Sequence, residues 1–266
     1  MENKINLPFF ETVRRSFIYV FLHGQTAFRI CAAWSVLLVF EMAAGFPVLC
    51  SLNADTCSGG LLQNLSVVLL SLAGISVITA FCRGIILHQE YPGYWNLHFG
   101  RRELRYLFCS LLYGLIVFLP AFCLGILTAA AEYNGRAVPA GISLLFLCAI
   151  TVLVILSARF YLVFPAVAVD NQQEITFRKS WEITKGNANK IFWGQVLMML
   201  PVFIVLLLLS VTYRALGSDN YMLKLCFSAL MIAVSFVDTL LKASYFSHLY
   251  QYFMYFYRRD SKPEKA

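Results

Sequence analysis

Charged side chains are scarce in this sequence: Asp, Glu, Lys and Arg make up 13% of its 266 residues. Soluble proteins contain about 25% of these residues and roughly 45–50% apolar ones, whereas the apolar share here is 60%. No polar stretch is long enough to predict a separate soluble domain. The composition therefore excludes an ordinary soluble protein and predicts a single integral membrane domain over residues 1–266.

Motifs of the common catalytic and cofactor sites are missing as well. The sequence has no glycine-rich phosphate loop with its lysine, no Gly-x-Ser-x-Gly turn, no His-Glu-x-x-His and no Cys-x-x-Cys pair. We therefore expect no catalytic residues, no cofactor and no metal, and we do not expect an enzyme. The net charge of +7 lies in short basic clusters between apolar runs, which favours anionic lipid headgroups over nucleic acid as partners.

Long apolar runs are the main feature that is present. A helix needs about 20 apolar residues to cross a bilayer, and the runs that reach this length are 28–50, 61–81, 104–130, 141–164, 191–213 and 225–250. The sequence thus predicts an all-α polytopic membrane protein with six transmembrane helices. We expect residues 28–250 to form this bundle, residues 1–27 a cytoplasmic amphipathic segment, and residues 251–266 a basic cytoplasmic tail.

Lysine and arginine are distributed unevenly between the connections. Most of them lie in the N-terminal segment, the second and fourth connections and the C-terminal tail, whereas the opposite connections hold only Arg136, Arg214 and Lys224. Cytoplasmic loops of membrane proteins carry the excess of positive charge. We therefore expect both termini to lie in the cytoplasm.

The connection between the fourth and fifth runs, within residues 159–191, is both basic and amphipathic. Phe177 and Trp181 lie one helical turn apart and are expected to anchor a short interfacial helix. The basic residues of this interfacial elbow, which are expected to face lipid headgroups, are Arg178, Lys179, Lys185 and Lys190. Residues 12–17 align weakly with residues 176–181, which indicates an internal repeat; the alternative is two unrelated solvated helix faces.

Four charged residues lie well inside the apolar runs, away from their ends: Glu41, Arg159, Asp238 and Lys242. An unpaired charge at the centre of a membrane helix costs about 2.5–3.5 kcal/mol on insertion scales, so each needs a partner or a function. In one interpretation, Asp238 pairs with Lys242 four residues on, and Arg159 pairs with Glu41 or Asp170. In the other interpretation, these charges form a proton or ion relay in the membrane.

Two further patterns concern covalent and helix–helix contacts. Cys50 and Cys57 flank a short connection on the predicted outer side, where oxidising conditions would allow a disulfide. Ala121, Gly125 and Ala129 recur every fourth residue in the third run, a spacing that lets helices approach closely. This stripe is expected to pack within the bundle, with a homo-oligomer as the alternative.

The elbow also resembles the signature of a known family. The residues that carry the resemblance are Arg159, Pro165, Asp170, the sequence FRKSW at 177–181, Thr184, Gly186, Asn187 and Ile191. They are similar to the signature of the YciC-like inner-membrane proteins and of the related membrane domain attached to some bacterial glycerophosphodiester phosphodiesterases. The resemblance implies a multi-pass protein of the bacterial inner membrane with ties to lipid or envelope homeostasis. It does not imply phosphodiesterase activity, because no part of these residues resembles the phosphodiesterase domain itself.

Two functions are therefore open at the level of the sequence. The elbow and the resemblance favour a non-enzymatic role in membrane or lipid homeostasis, whereas the charges within the apolar runs favour a small transporter or channel. A continuous polar cavity lined by Glu41, Arg159 and Asp238 would support transport. Charges closed into pairs within a dry bundle would support the structural role.

Overall fold

The computed structural model describes residues 7–43, 61–91, 94, 96–133, 151, 153, 155, 158–171, 175–216 and 221–261. In chain order, its elements are α1 (Phe9–Leu22), α2 (Gly24–Ala43), α3 (Leu61–Leu87), α4 (Arg101–Tyr133), a 3₁₀ turn (Ala158–Phe160), α5 (Val163–Ala168), α6 (Phe177–Ile183), α7 (Ala188–Leu216) and α8 (Tyr221–Ser261). No strand occurs among the described residues. This part of the chain is therefore all-α, as predicted.

Three helical stretches of the described residues are long and apolar enough to cross a membrane: Val68–Leu87, Ala188–Tyr213 and Ala229–Tyr257. They coincide with the second, fifth and sixth predicted runs. The described parts of the first and third runs form α2 and α4, but neither helix is among the three stretches that are long and apolar enough to cross a membrane. The fourth run lies mostly outside the described residues, and its end is divided between the 3₁₀ turn and α5. Six transmembrane helices therefore stay a prediction.

Helix α8 is the centre of the fold, because α1, α2, α3, α5 and α7 all pack against it. Its side chains at Tyr245, Leu249 and Phe253 are fully buried, and their spacing of four residues places them on one stripe of the helix. The outer helices expose large apolar side chains instead, such as Phe108 of α4 and Phe203 of α7. Aromatic surfaces of this size are favourable against lipid and costly in water.

A close approach of α7 to α8 occurs at Gly194. A Cβ atom at this position would lie 2.1 Å from Tyr245 Oη and 2.8 Å from Tyr245 Cζ. The same hydroxyl donates a hydrogen bond to the Ile191 carbonyl at 3.0 Å. Glycine is thus required at 194 so that the buried tyrosine can lie against the α7 backbone. At Gly125, in the predicted small-residue stripe of α4, a Cβ would meet no described atom within 4 Å.

The N-terminal helix α1 packs lengthwise against α8, a contact that the amphipathic pattern did not predict. Its small side chains Thr12 and Ser16 are buried, and Ser244 of α8 donates a hydrogen bond to the Ser16 carbonyl at 3.3 Å. Small residues form this contact because they let the two backbones approach. The aromatic side chains of Phe10 and Phe21 point outward and are 68% and 70% exposed, which leaves them available for contact with lipid.

Some predicted features lie outside the described residues. These are Cys50, Cys57 and the connection between them, together with residues 1–6 and 262–266. The backbone of Glu41 is part of α2, but its side chain is not described. The disulfide and the pairing of Glu41 therefore stay predictions.

Candidate functional site

The predicted elbow is built from α6, a turn and the beginning of α7. Thr176 caps α6, because its side-chain oxygen accepts a hydrogen bond from the Lys179 amide at 3.3 Å. After α6 ends, Gly186 adopts a φ of +83°, a left-handed conformation that glycine tolerates without strain. The chain then enters α7 at Ala188. A short helix, a turn and the start of a long helix therefore occur where the sequence predicted the elbow. Its place at a membrane interface stays a prediction.

Arg159 holds α6 against the 3₁₀ turn. Its guanidinium carbon lies 3.6 Å from the centroid of the Trp181 ring, a cation–π contact, and its Nη2 donates to the Trp181 carbonyl. The Arg159 carbonyl accepts hydrogen bonds from the hydroxyls of Ser180 and Thr184 at 2.5 and 3.4 Å. The predicted pairing of Arg159 with Asp170 is therefore wrong. Among the described residues, the Trp181 ring, the Trp181 carbonyl and the Thr184 hydroxyl contact this cation, and no carboxylate does.

The two aromatic residues of the elbow pack on the ring of Phe160 in the 3₁₀ turn. The ring centroids of Phe177 and Trp181 lie 5.7 and 5.3 Å from that of Phe160. These separations are within the usual range for aromatic pairs. Both residues thus hold α6 in place, through a contact within the protein.

The basic residues of the elbow differ in their surroundings. Arg178 has 90% of its side chain exposed and forms an ion pair within α6 at 3.2 Å. Lys179 is half-buried, with Nζ 4.6 Å from the centroid of the Tyr257 ring of α8. The remaining two are Lys185, which is exposed, and Lys190, which is half-buried. Of these four, Arg178 and Lys185 therefore offer the most accessible positive charge.

The pair predicted on the last helix is present. Lys242 Nζ lies 2.5 Å from Asp238 Oδ2, and the two side chains are 32% and 21% exposed. Opposite charges in contact lower the cost of placing either one in an apolar environment. Because Arg159 is also partnered, every described charge of the predicted intramembrane set has a partner.

Contacts within the described residues bring the basic segments to one end of the helix bundle. The Leu7 amide, just before α1, donates to the Asn187 side chain of the elbow at 3.2 Å. The elbow contacts the last turns of α8 through the cation–π contact of its lysine. In the same region, Gln251 of α8 donates to the Ile85 carbonyl near the end of α3 at 3.1 Å. We use the name basic end for the region where Leu7, the elbow, the last turns of α8 and the end of α3 meet.

The end of α5 places an acid at the basic end in an unusual backbone conformation. Asp170 has a φ of +59°, in the left-handed region that normally favours glycine. Its amide donates to the Val167 carbonyl at 3.1 Å, and the Asn171 amide donates to the Ala166 carbonyl at 2.8 Å. This is the hydrogen-bond pattern of a helix end that usually carries glycine. Aspartate is one of the few residues besides glycine that adopt this conformation, because its short polar side chain can form local hydrogen bonds.

The Asp170 carboxylate bridges two arginines from different helices. Nη2 of Arg102, on α4, lies 2.6 Å from Asp170 Oδ2, and Nη1 of Arg83, on α3, lies 3.8 Å from it. Arg83 also donates to the Ala168 carbonyl at 3.3 Å and to Gln89 Oε1 at 2.7 Å. These contacts join α3, α4 and α5 at the basic end.

Two adjoining polar cavities surround this cluster. The first has a volume of about 290 Å³, and its lining includes Arg83, Tyr91 and Arg102. Burial raises the pKa of the Tyr91 hydroxyl above its ordinary value. The second cavity has a volume of about 510 Å³ and is lined by His98, Phe99, Gly100, Arg101, Arg102, Glu103, Arg105 and Asp170. Arg102 lines both cavities, whereas its partner Asp170 lines the second one.

The beginning of α4 leaves two arginines of the second cavity without an ion pair. Glu103 is buried and accepts a hydrogen bond from the Gly100 amide at 2.9 Å, which caps the helix. Asp170 is engaged with Arg102. Arg101 and Arg105 are exposed, and within the described part of the chain they form no ion pair. Positive charge at this cavity is therefore only partly compensated.

The donors around the second cavity suit an oxyanion. Guanidinium groups bind carboxylate and phosphate oxygens through paired hydrogen bonds. Among the described residues, no group of three His, Cys, Asp or Glu side chains could hold a metal ion. The sequence contained two signals for this site, the arginines of the second connection and Asp170 of the resemblance, but no pattern showed that they meet.

Comparison with known proteins adds no assignment. The chain matches no protein-family model, and no curated protein or solved structure was found to be similar to it. Its function is therefore inferred from its residues and their geometry.

Proposed function

We propose that this chain is a multi-pass protein of the bacterial inner membrane, related to the YciC-like proteins, with both termini in the cytoplasm. Its role is non-enzymatic and concerns membrane, lipid or envelope homeostasis. Its partners are anionic lipid headgroups at the cytoplasmic surface. The observation that carries this proposal is the gathering of basic segments at one end of an apolar helix bundle.

The surface away from the basic end supports an environment of lipid. Only 11% of the apolar window within Ala188–Tyr213 is buried inside the protein. On this helix, Leu208 and Val211 are 59% and 58% exposed. Apolar side chains in such a continuous patch are expected to contact acyl chains.

The state of the charged residues within the helices favours this role over a transporter. Asp238 and Lys242 are closed into a pair, and Arg159 is engaged with α6. The two polar cavities at the basic end are lined by none of these three residues. A relay would need titratable groups that face a shared polar path.

A deletion strain tests the proposal, with phospholipid composition and solute uptake measured side by side. We expect an altered lipid composition that is restored by the wild-type gene and by the double variant Asp238→Asn with Lys242→Gln. The elbow variant Arg178→Gln with Lys185→Gln should restore it less well. An unaltered lipid composition together with lost uptake, restored by the wild-type gene but not by the variant of the α8 pair, would instead support transport.

A further inference from the structure

We propose that the second cavity, at the beginning of α4, is a binding site for the phosphate group of an anionic phospholipid. Arg101, Arg102 and Arg105 bind the phosphate, and Asp170 competes with it for Arg102. This inference rests on the proposed function, because it names the lipid group that the basic end would hold. It adds a defined site to a general attraction between a basic surface and a membrane.

The spacing of the arginines places them together on the first turns of a long helix. Arg101 and Arg105 are four residues apart and therefore lie on the same side of α4. Arg102 lies beside them and reaches the same cavity. The volume of about 510 Å³ is within the range of small-molecule sites, roughly 300–1,000 Å³.

The charge of the cavity favours an anion. Its lining contains three arginines and two acids, Glu103 and Asp170, so its formal balance is one positive charge. Glu103 is engaged in the helix cap, and Asp170 Oδ2 also lies 3.8 Å from Arg83 Nη1. The unpaired amides at the beginning of α4 add a partial positive charge. The positive charge that is not compensated therefore lies mainly on Arg101 and Arg105.

The contact between the Asp170 carboxylate and Arg102 also indicates that this cavity suits an oxyanion. Arg102 Nε donates a hydrogen bond to Asp170 Oδ2 at 2.8 Å, and Arg102 Nη2 lies 2.6 Å from the same oxygen. A phosphate oxygen offers the same acceptor geometry to a guanidinium group. The protein thus already holds one oxyanion at this position, on a residue whose backbone is left-handed.

The side of α4 below the arginines favours a lipid over a free phosphate. Leu104 and Phe108 follow Arg101 and Arg105 by three residues each, and they are 66% and 67% exposed. Leu111, on the next turn, is 63% exposed. Positions separated by three or four residues form one continuous stripe on a helix. This stripe is basic at its beginning and apolar along its length, which matches a phosphate headgroup followed by an acyl chain.

Lipid titration of the purified protein in a non-ionic detergent tests the site. Dioleoyl phosphatidic acid is added, and the apparent Kd is obtained from the increase in Tm. The double variant Arg101→Gln with Arg105→Gln should raise this Kd about tenfold, since hydrogen bonds from charged groups are lost. The variant Asp170→Asn should lower the Kd severalfold, because the competing carboxylate is removed while Asn still tolerates the left-handed backbone.

Controls separate this site from the general attraction to lipids. The variant Arg14→Gln with Arg15→Gln removes two exposed charges of α1 and should keep a Kd within about twofold of wild type. If the elbow variant loses affinity and the α4 variant does not, the site is wrong but the proposed function stands. If the wild type responds equally to phosphatidylcholine and phosphatidic acid, both proposals fail. Inorganic phosphate and glycerol phosphate should give no comparable increase in Tm; an equal increase would overturn the assignment to a lipid.

Discussion

Replacement of Gly194 by alanine is expected to weaken the contact between α7 and α8. The new Cβ would lie 2.1 Å from Tyr245 Oη and 2.8 Å from Cζ, whereas non-bonded carbon atoms favour separations of about 3.5–4.0 Å. The tyrosine side chain is fully buried, and its hydroxyl is bonded to the Ile191 carbonyl. The ring therefore cannot move away without breaking that bond and disturbing its neighbours.

The magnitude follows from three contributions. Overpacking costs typically about 1–3 kcal/mol, and loss of the tyrosine hydrogen bond costs about 0.5–1.5 kcal/mol. Alanine offsets part of this, because its helix propensity exceeds that of glycine by about 0.8–1.0 kcal/mol. We therefore expect the Gly194→Ala substitution to lower the free energy of unfolding by about 1–3 kcal/mol.

Circular dichroism during unfolding by sodium dodecyl sulfate in mild detergent measures this difference. Gly125→Ala is the matched control, because its Cβ would meet no described atom within 4 Å. This control should be neutral or stabilised by up to about 1 kcal/mol. Adding Tyr245→Phe to Gly194→Ala should change stability less than Tyr245→Phe alone, since the hydroxyl is already displaced. Equal stability of the two alanine variants would refute the close approach of α7 and α8.

Three further substitutions test the basic end and its surroundings. Arg159→Gln should lower stability by about 1–3 kcal/mol, because the cation–π contact with Trp181 and the hydrogen bond to its carbonyl are lost; thermal unfolding followed by tryptophan fluorescence measures this. Asp170→Asn should cost only about 0.5–1 kcal/mol, because the Asp170 and Arg102 side chains are 45% and 31% exposed; the difference from wild type should shrink in high salt. Hydrogen bonds from two arginines lower the pKa of Glu11, so the ionised Glu11 stabilises the fold at neutral pH, and this contribution is lost as pH falls through the lowered pKa. Glu11→Gln should therefore reduce the fall in Tm between neutral and acidic pH. An unchanged fall in Tm would contradict the contribution of Glu11.

Positions of helices were predictable because the signals for them are local. Five of the six predicted runs coincide with α2, α3, α4, α7 and α8, since the length of an apolar run is read directly from neighbouring residues. The elbow was predictable for the same reason. Thr176 is a cap residue, and Gly186 supplies the left-handed turn that follows α6.

The partners of these elements were not predictable, because they depend on residues far apart in the chain. Arg102 and Asp170 are 68 residues apart, and no periodic pattern relates them. Of the two acids predicted as partners of Arg159, Asp170 pairs with Arg102 instead. The contacts of Arg159 with the Trp181 ring and carbonyl were not predicted, because an aromatic face and a carbonyl oxygen also satisfy a guanidinium group. The close contact at Gly194 depends on a tyrosine of another helix, which the sequence of α7 alone does not show.

The cations of the basic end fall into two groups that should respond differently to substitution. Arg83 and Arg159 are engaged with other parts of the protein, so their loss leaves buried acceptors and rings without partners. Arg101, Arg105 and Lys185 are exposed, so their loss removes charge from the surface without breaking a described ion pair. Substitutions in the first group should therefore lower stability in detergent even without lipid. Substitutions of the two exposed arginines should leave lipid-free stability within about 0.5 kcal/mol of wild type and change only the response to added phospholipid.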